Sequence, residues 1–347
     1  MRIGLTGGTG FIGKRVVRLL RERGHTVICV VRNPDKAAAL TAMGAEAARG
    51  DILDRGSLKA AFTSCDAVFH IAASVDFGVV GKQADSALAK NLEGTRNALE
   101  AARDAGAKKI VYTSSIVVYG SPRGKVVPEG AKSEGIQFPT SHATFYAMSK
   151  ARAHYEVAVP LMEAGAPIVI VQPGAVIGPR DHSVIRMLWW MLARGLPVVM
   201  GGARYGVVDL EDCAMGHVLA LEKGRIGECY HLVDENVRLP DLVQRAMVAS
   251  GVRGRILVLP DWLLALNAAI MSVVERVVPV PDQFSGDSLR GMKAAVDLVV
   301  ETQKARDELG WVPRPMDEAL REIMADELSR RGKALPPALV GVNPRLD

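Results

Sequence analysis

Cysteine is scarce in this sequence. Its 347 residues contain four, Cys29, Cys65, Cys213 and Cys229, which lie far apart and form no C-x-x-C pair. The spacing therefore argues against a disulfide framework and against a cysteine-based metal site. Buried, inert thiols in a reducing compartment fit the pattern better, so we expect a cytoplasmic protein without a bound metal ion.

Long apolar runs and clusters of like charge are also missing. The chain starts directly with a predicted strand and shows no apolar signal-peptide segment. Its most apolar stretch, residues 261–280, is interrupted by Asn267 and Ser272 and falls short of the roughly 20 apolar residues that a membrane span needs. A buried helix or an apolar substrate wall is the better prediction there. Because lysine and arginine are scattered and the net charge is only +5, no nucleic-acid partner is expected either.

The first half of the chain alternates strand and helix patterns. Strands are predicted at 2–6, 26–32, 45–48, 67–73, 108–115 and 167–174, and helices at 11–24, 34–42, 55–63, 84–106 and 143–165. The strands are apolar throughout, which is typical of strands that are buried on both faces. Together with the alternating order, this indicates an α/β protein with a parallel sheet covered by helices on both sides.

After Pro173 the pattern becomes mostly helical. Helices are predicted near 183–194, 211–223, 239–250, 260–277 and 315–330, whereas strand patterns remain only at 206–210 and 228–233. We therefore divide the chain into a first domain, a smaller second lobe and a tail. The first domain spans 1–173 plus a returning segment at about 206–233, the lobe spans 174–205 and 234–330, and the tail, 331–347, is expected to be irregular.

A glycine-rich turn, "TGGTGFIG", follows the first predicted strand and opens the first helix. Gly7 permits the tight turn, Gly10 lets the backbone approach a pyrophosphate, and Gly13 lets helix and strand pack closely. The helix N-terminus would supply N–H donors and the positive end of its dipole to the phosphates. The turn in this context predicts a dinucleotide-binding first domain.

The residue at the end of the second strand bears on the choice of cofactor. An acidic residue there would bind the ribose 2′-hydroxyl group, and a cationic one accommodates a 2′-phosphate. Arg32 occupies this place in "VVRNPDK", so NADP(H) is favoured, with NAD(H) as the other candidate and an exposed surface arginine as the alternative reading. Asp51, after the third strand, could accept a hydrogen bond from the adenine amino group or simply form a turn.

Several further motifs follow in order, and with them the chain resembles the extended short-chain dehydrogenase/reductase family over roughly residues 1–330. Within that family it looks most like the dihydroflavonol-4-reductase-like branch and the hopanoid-associated epimerase-like proteins near it, to which residues 207–232 are similar. The motifs that carry the resemblance are "TGGTGFIG", "GDILD", "VFHIAA", "NLEGTRNALEAA", "VYTSSIVVYG", "YAMSK" and "QPGAVIGP".

The resemblance implies a Rossmann fold, a doubly wound parallel sheet, with a smaller, mainly helical C-terminal lobe for the substrate. It also implies an active site in which Tyr146 and Lys150 fill the Tyr-x-x-x-Lys pattern, with Ser115 as the serine and Ser114 as its alternative. Asn91 matches a position that supports the site. The expected cofactor contacts are Gly7, Gly10, Phe11, Ile12, Gly13, Arg32, Asp51, Ile52, Ala72, Ala73, Lys150, Pro173 and Val176.

The three side chains suit acid–base chemistry at a carbonyl group. A free tyrosine has a pKa near 10 and is a poor base at neutral pH. A lysine ammonium group one helical turn away, together with the positive charge of an oxidised nicotinamide, would stabilise the tyrosinate. Tyr146 could then protonate a carbonyl oxygen as hydride is delivered, or run the reverse, while Ser115 donates a hydrogen bond to that oxygen. By resemblance, Lys150 also holds the nicotinamide ribose.

The resemblance implies two partners. One is a small-molecule substrate. The other is a second copy of the chain, because helices 84–106 and 143–165 correspond to those that pair into a four-helix interface in relatives. A homodimer is therefore expected.

The substrate is less constrained. Sugar-nucleotide enzymes of the family usually carry an arginine where this chain has Tyr205, with Arg204 one residue away. Apolar segments around Trp189, Trp190 and Trp262 suit a hydrophobic ligand, although core packing explains most such residues. We predict an NADP-dependent reductase of a hydrophobic or aromatic carbonyl compound. The alternatives are a sugar epimerase or dehydratase that uses bound nicotinamide transiently, and a non-catalytic dinucleotide sensor, which has no need of Ser115, Tyr146 and Lys150.

Overall fold

The computed structural model describes residues 1–72, 82–120, 122, 125–130, 145–180, 184–275, 278 and 298–342. Its centre is a sheet of seven parallel strands in the order β10-β6-β5-β4-β1-β2-β3. The strands of the protein are β1 (Arg2–Thr6), β2 (Thr26–Val31), β3 (Glu46–Arg49), β4 (Ala67–His70), β5 (Lys109–Thr113), β6 (Ile168–Pro173), β7 (Ala175–Ile177), β8 (Val198–Met200), β9 (Arg204–Asp209), β10 (Cys229–Leu232), β11 (Glu235–Arg238) and β12 (Ile256–Val258). The parallel, doubly covered sheet expected from the sequence is thereby confirmed.

Helices cover both faces of this sheet and also form most of the second lobe. The helices of the protein are α1 (Phe11–Glu22), α2 (Ala38–Ala42), α3 (Arg55–Phe62), α4 (Lys82–Asp104), α5 (Phe145–Ala153), α6 (Val159–Glu163), α7 (Val184–Ala193), α8 (Leu210–Glu222), α9 (Leu239–Ser250) and α10 (Asp261–Val274), followed by Gln303–Leu309 and Met316–Ser329. Because strand side chains alternate, Phe69 packs with α1 and α8 while its neighbour Val68 packs with α3 and α4. Among the residues described, no helix combines the length and apolar character needed to cross a bilayer.

Two small sheets accompany the central one. A three-stranded sheet has the order β11-β9-β7, and β12 pairs with β8 alone. One or two strands of residues 206–233 were expected to return to the central sheet, and one does. The segment at 206–209 belongs instead to β9, which pairs parallel with β7 and antiparallel with β11. Only β10, in the predicted segment 228–233, joins the central sheet, beside β6. The chain turns straight from β10 into β11, which supplies the antiparallel partner of β9.

The second lobe has its own core. It is formed by α7, α9 and the helix Met316–Ser329, whose buried apolar residues include Leu188, Leu242 and Leu320. Leu339, in a 3₁₀ turn at Pro337–Leu339, is fully buried in the same cluster. The tail that looked irregular in sequence is thus attached to the lobe, at least as far as residue 342; residues 343–347 lie outside the described part.

The helix predicted at 143–165 has a break in its middle. Residues 143 and 144 lie outside the described residues, α5 and α6 follow, and a π turn (His154–Ala158) joins them. Proline has no N–H to donate four residues back, and its ring would collide with that carbonyl group. Because Pro160 would meet the carbonyl of Glu156 in a regular helix, a wider turn immediately before it relieves the conflict.

Buried charges join α8 to its surroundings. Arg314 contacts Asp209 at 2.9 Å and Glu322 at 2.8 Å, and its backbone N–H donates to Asp212 at 3.1 Å. Asp209 also caps α8 by accepting from the backbone N–H of Glu211 at 2.9 Å. The Glu211 carboxylate in turn binds Arg15 of α1 at 2.7 Å. A chain of ion pairs therefore fixes the helix that carries the glycine turn.

Candidate active site

The glycine turn is held in a conformation that only glycine allows. Gly7 has a φ of 81°, and a Cβ atom there would lie 2.6 Å from the backbone nitrogen of Ala72. A Cβ atom at Gly13 would lie 2.0 Å from the carbonyl oxygen of Gly7. Gly10 precedes α1, whose first turn, beginning at Phe11 and Ile12, carries no acidic side chain to neutralise the helix dipole. The turn therefore fits an anionic pyrophosphate group.

The other predicted cofactor positions follow the carboxyl ends of neighbouring strands. Arg32 comes directly after β2, is exposed, and makes no ion pair within the described part of the chain. Ile52 packs against Gly94 of α4, and Ala72 lies beside Gly7. The strand order brings these positions to the sheet edge where α/β proteins bind nucleotides. Ala73 lies outside the described residues.

Asp51 has a local hydrogen bond of its own. Its Oδ1 atom accepts from the backbone N–H of Leu53 at 3.0 Å, and its backbone N–H donates to the Ser57 hydroxyl group at 3.0 Å. These are the contacts of a turn-forming aspartate. They favour a turn-forming role of Asp51 over a contact to adenine. The hydrogen bond from Leu53 uses Oδ1 and not the second carboxylate oxygen.

Ser115, Tyr146 and Lys150 come together at the ends of β5 and the start of α5. The Ser115 side chain lies near the Tyr146 phenol and favours its anion, and the Ser115 hydroxyl group donates to the Pro173 carbonyl at 3.4 Å. The Lys150 ammonium group is buried and donates to the Thr113 carbonyl at 3.0 Å. Ser114 is on the opposite face of the strand and bonds His154 at 3.0 Å. The geometry therefore favours Ser115 over Ser114 as the serine of the site.

Burial shifts the pKa values of the two titratable groups in opposite directions. The pKa of the Tyr146 phenol is raised, because burial disfavours the anion more than the nearby Ser115 side chain favours it. Burial lowers the pKa of the Lys150 ammonium group to about 8. At neutral pH the phenol therefore keeps its proton and most Lys150 side chains keep their charge. The tyrosinate expected from the sequence relied also on the charge of an oxidised nicotinamide, and it stays a prediction.

A second layer of buried polar groups supports these residues. Asn91 donates from its side chain to Ser149 at 2.8 Å, which links α4 to α5 next to Lys150. His217 donates from Nδ1 to the Cys213 carbonyl at 2.7 Å, and its Nε2 accepts from the Thr113 hydroxyl at 3.0 Å. Desolvation, and more weakly the charge of Lys150, lowers the pKa of His217 to about 4. It is therefore neutral at pH 7 and acts as an acceptor for Thr113.

His70 completes this layer on the other side of Lys150. It shares hydrogen bonds with Thr6 at 2.8 Å and Thr95 at 3.4 Å, and burial with the nearby Lys150 charge lowers its pKa to about 3. The sequence analysis did not single out His70 or His217. Their only sequence signal is a histidine within an otherwise apolar strand or helix, which more often marks a structural residue than a functional one.

Pro173 and Val176 lie where the central sheet meets the three-stranded one. Pro173 ends β6 and Val176 is the middle residue of β7. Between them, the N–H of Gly174 donates to the Leu232 carbonyl at 3.1 Å, and a Cβ atom on Gly174 would lie 2.4 Å from the Gly206 carbonyl oxygen. The segment is therefore held between Leu232 and Gly206. It lies close to Ser115, whose hydroxyl group donates to the Pro173 carbonyl.

The three tryptophans proposed to favour a ligand do not converge on a pocket. Trp189 is buried in the core of the second lobe, and Trp262 is 67% exposed on α10. Trp190 is covered by the guanidinium group of Arg194, 3.9 Å from its ring centroid. Tyr205 packs against the second-lobe core, and burial raises its pKa, whereas Arg204 is exposed. Core packing, the alternative given for most of these residues, accounts for Trp189, and a hydrophobic ligand near these segments stays a prediction.

Comparisons with known proteins agree with this architecture. Residues 3–233 match the model of the "NAD dependent epimerase/dehydratase family". The chain is 30% identical over 330 residues to "Putative dihydroflavonol 4-reductase" of Synechocystis sp., with 92% of each chain covered. It is 29% identical over 331 residues to "Cinnamoyl-CoA reductase 1" of Petunia hybrida, covering 90% of this chain and 93% of the relative.

Solved structures give the same result at the level of the fold. The crystal structure of gox2253 superposes with a TM-score of 0.77 at 31% identity, covering 95% of this chain and 98% of the other. Dihydroflavonol-4-reductase-like proteins are thus among its relatives, as the motifs predicted. The chain belongs to the NAD dependent epimerase/dehydratase family, within the extended short-chain dehydrogenases/reductases, and is an NAD(P)-dependent oxidoreductase.

Proposed function

We propose that the protein is an NADP(H)-dependent reductase of hydrophobic or aromatic ketones and aldehydes, or a dehydrogenase of the corresponding alcohols by the reverse reaction, with NADP⁺ as the hydride acceptor. The observation that carries the proposal is the placement of the Ser115 side chain near the Tyr146 phenol, one helical turn from the buried ammonium group of Lys150. A proton donor, an orienting hydroxyl group and a cation lie within one turn of a helix and the end of one strand. This set suits proton transfer to a single carbonyl oxygen.

The raised pKa of Tyr146 supports the reductive direction. Because its phenol is protonated at neutral pH, Tyr146 can give a proton to a carbonyl oxygen as that oxygen gains negative charge. Ser115 fixes the phenol and offers its own hydroxyl group to the same oxygen. Lys150 holds a positive charge near the phenolate that forms, which lowers the cost of proton transfer. The bound nicotinamide supplies the hydride in this reaction.

The chain's own residues fit a dinucleotide. The turn at Gly7, Gly10 and Gly13 leaves the start of α1 open to a pyrophosphate, and Lys150 lies at the sheet edge near the place for the nicotinamide ribose. Arg32, exposed and without an ion pair among the described residues, can reach a 2′-phosphate. Pro173 and Val176 would pack against the nicotinamide ring.

The names of the relatives favour a reductase over an epimerase. "Cinnamoyl-CoA reductase 1" and the dihydroflavonol reductase-like protein are named for reduction of aromatic carbonyl compounds. Tyr205 contributes no charge where sugar-nucleotide enzymes usually place an arginine, and it is packed into the second-lobe core. A sugar epimerase or dehydratase with transiently used nicotinamide is the second candidate, supported by the name of the family itself.

We also propose that the protein is a cytoplasmic homodimer, paired through α4 and the helix formed by α5 and α6. All four cysteines are free and buried, which supports a reducing compartment. Burial raises the pKa of the Cys29 and Cys229 thiols to about 12, so these thiols are unreactive.

Replacing Arg32 with aspartate should reverse the cofactor preference. The change removes a charge-assisted contact to the 2′-phosphate and adds repulsion, so NADPH should bind about 10–100-fold more weakly, with NADH nearly unchanged. Fluorescence titration of both cofactors measures this. Lys59→Asp, which makes the same change of charge on the exposed face of α3, should leave both affinities as they are. Equal affinity of the wild type for NADPH and NADH would contradict the assignment.

A substrate panel separates the two candidate functions. Purified protein with NADPH should reduce aromatic and aliphatic ketones, aldehydes or acyl thioesters, consuming NADPH stoichiometrically. UDP- and dTDP-sugars should be left unchanged, as followed by NMR. Saturable conversion of a nucleotide sugar at micromolar concentration without added cofactor, and no activity on the carbonyl compounds, would replace the reductase by an epimerase.

A further inference from the structure

Helix α10 exposes an apolar stripe. From Trp262 to Val274 its sequence contains no charged residue. Leu264 and Ala268 face the lobe and are buried, whereas Trp262, Leu266, Ile270 and Val273 are 67%, 49%, 52% and 61% exposed. Their spacing of four, four and three residues places them along one side of the helix.

The stripe continues onto the strand that precedes the helix. β12 is the edge of a two-stranded sheet, and its Leu257 and Val258 are 48% and 49% exposed. Single exposed apolar residues are common on protein surfaces, but contiguous groups of them mark interaction sites. We call the exposed residues of β12 and α10 the apolar patch: Leu257, Val258, Trp262, Leu266, Ile270 and Val273.

Exposed arginines border the β12 end of the apolar patch. Arg253 and Arg255 line, with Leu257, a depression of about 510 Å³. Arg238 and Val258 both lie next to Gly202. A Cβ atom built on Gly202 would be 3.3 Å from Nη2 of Arg238 and 3.7 Å from a methyl group of Val258. Arg204 is the partner of Arg238 across β9 and β11. These four arginines are all exposed.

None of these four arginines takes part in an ion pair with any residue that the structure describes. Some exposed arginines elsewhere are paired, for example Arg55 with Glu100 and Arg225 with Glu308, but Arg32 is another without an ion pair among the described residues. What sets these four apart is their grouping, because residues 251–274 contain a single acidic residue, Asp261. The border of the apolar patch therefore carries a cluster of positive charge that no ion pair with the described residues balances.

We propose that the apolar patch docks onto an anionic membrane surface. A nearly fully exposed tryptophan followed by aliphatic residues can enter the lipid headgroup region, where indole side chains are favourable. The bordering arginines would then contact lipid phosphates, and their attraction to an anionic leaflet adds to the burial of the stripe. This goes beyond the proposed reaction and does not depend on it.

A second copy of the chain fits the same surface less well. In a two-fold dimer the same surface of both subunits is used, so the arginines of both copies would be brought to one interface. Like charges brought into one interface without carboxylates between them repel. A lipid surface supplies the missing negative charge, whereas a second copy doubles the positive one.

Vesicle flotation tests the proposal with the full-length protein. The protein should float with vesicles of phosphatidylcholine and phosphatidylglycerol and bind phosphatidylcholine alone much more weakly. High salt should release it, because the Debye length falls from about 10 Å at 0.1 M to about 3 Å at 1 M. Arg253→Gln with Arg255→Gln should lower the partition coefficient about fivefold for each arginine. Trp262→Ser with Leu266→Ser should lower it about tenfold or more.

Matched controls keep the result interpretable. Val248→Ser removes an apolar side chain of α9 that is exposed but lies outside the apolar patch. Arg225→Gln removes an exposed cation that is not one of the four bordering arginines. Both variants should bind vesicles like the wild type. All changed side chains are exposed, and unchanged circular dichroism and melting should verify the fold. The proposal is overturned if the wild type fails to float with anionic vesicles, or if patch and control variants behave alike. It is also overturned if the protein only self-associates in sedimentation velocity and Leu266→Ser abolishes that association.

Discussion

Tyr146→Phe should lower kcat for carbonyl reduction by about 10²–10⁴-fold, the range that a positioned general acid contributes. Phenylalanine keeps the ring that packs between α5 and the sheet but has no proton to give. Binding of NADPH, measured by fluorescence titration, should change by less than about threefold, because the phenol is assigned to the substrate oxygen and not to the cofactor.

Two companion variants sharpen this test. Tyr230→Phe removes another phenol, which lies outside the proposed site and donates to the Glu308 carboxylate at 2.7 Å. This variant should leave kcat unchanged. Lys150→Met should reduce both kcat and cofactor affinity, since Lys150 is assigned to the chemistry and to the ribose. Wild-type turnover by Tyr146→Phe would refute the acid–base assignment, whereas loss of cofactor binding alone would point to a structural defect.

Arg314→Met should lower the free energy of unfolding by about 3–5 kcal/mol, the typical cost of removing one partner from a buried ion pair. The Arg314 side chain is only 12% exposed and contacts Asp209, which is 3% exposed. Its loss would leave Asp209 and Glu322 as buried carboxylates without their cation. Denaturant unfolding monitored by circular dichroism gives the value.

The loss in the free energy of unfolding that Arg314→Met causes should depend on pH. Burial raises the pKa of Asp209, and it raises that of Asp212 to about 6, while Arg314 opposes both shifts. Without Arg314 the pKa values of both carboxyl groups rise further. As the pH falls, the folded variant therefore takes up protons before the unfolded chain does, and this uptake stabilises the folded state. The loss in the free energy of unfolding should be largest near pH 8 and become smaller towards pH 5.

Arg245 provides the matched control. It also contacts two carboxylates, Glu235 and Asp317, but its side chain is 33% exposed. Arg245→Met should cost less than about 1 kcal/mol, because solvent screens exposed pairs. Equal costs for the two variants would mean that the burial of Arg314 has no special consequence.

The elements that the sequence predicted best are those with strong local patterns. β1, β2, β5 and β6 are mostly apolar, and α1 ends two residues before Gly24, so periodicity and composition agree on each. The glycine turn was recognisable because each of its positions has a steric reason. The pairing of Ser115 with Tyr146, 31 residues apart, came from motif order and not from local pattern.

The second lobe was less predictable for two reasons. β7, β8 and β12 have three residues each, too few for any periodicity to appear. α10 is apolar on nearly all sides, so its sequence could not show which side packs on the lobe and which faces solvent. The sequence also left open whether Trp189 and Trp262 face the core or a ligand, because burial depends on how helices pack and no local signal separates one tryptophan from the other.

The π turn at His154–Ala158 allows one helix to face two directions. In a regular α-helix each residue advances by about 100°, so an extra residue in a turn rotates everything beyond it by about that angle. Before the turn, Tyr146 and Lys150 point to the edge of the sheet; after it, Val159 and Met162 pack with the apolar residues of α4. The angular position of the proposed acid is therefore set independently of the packing of α6, and the chain can change one without turning the other.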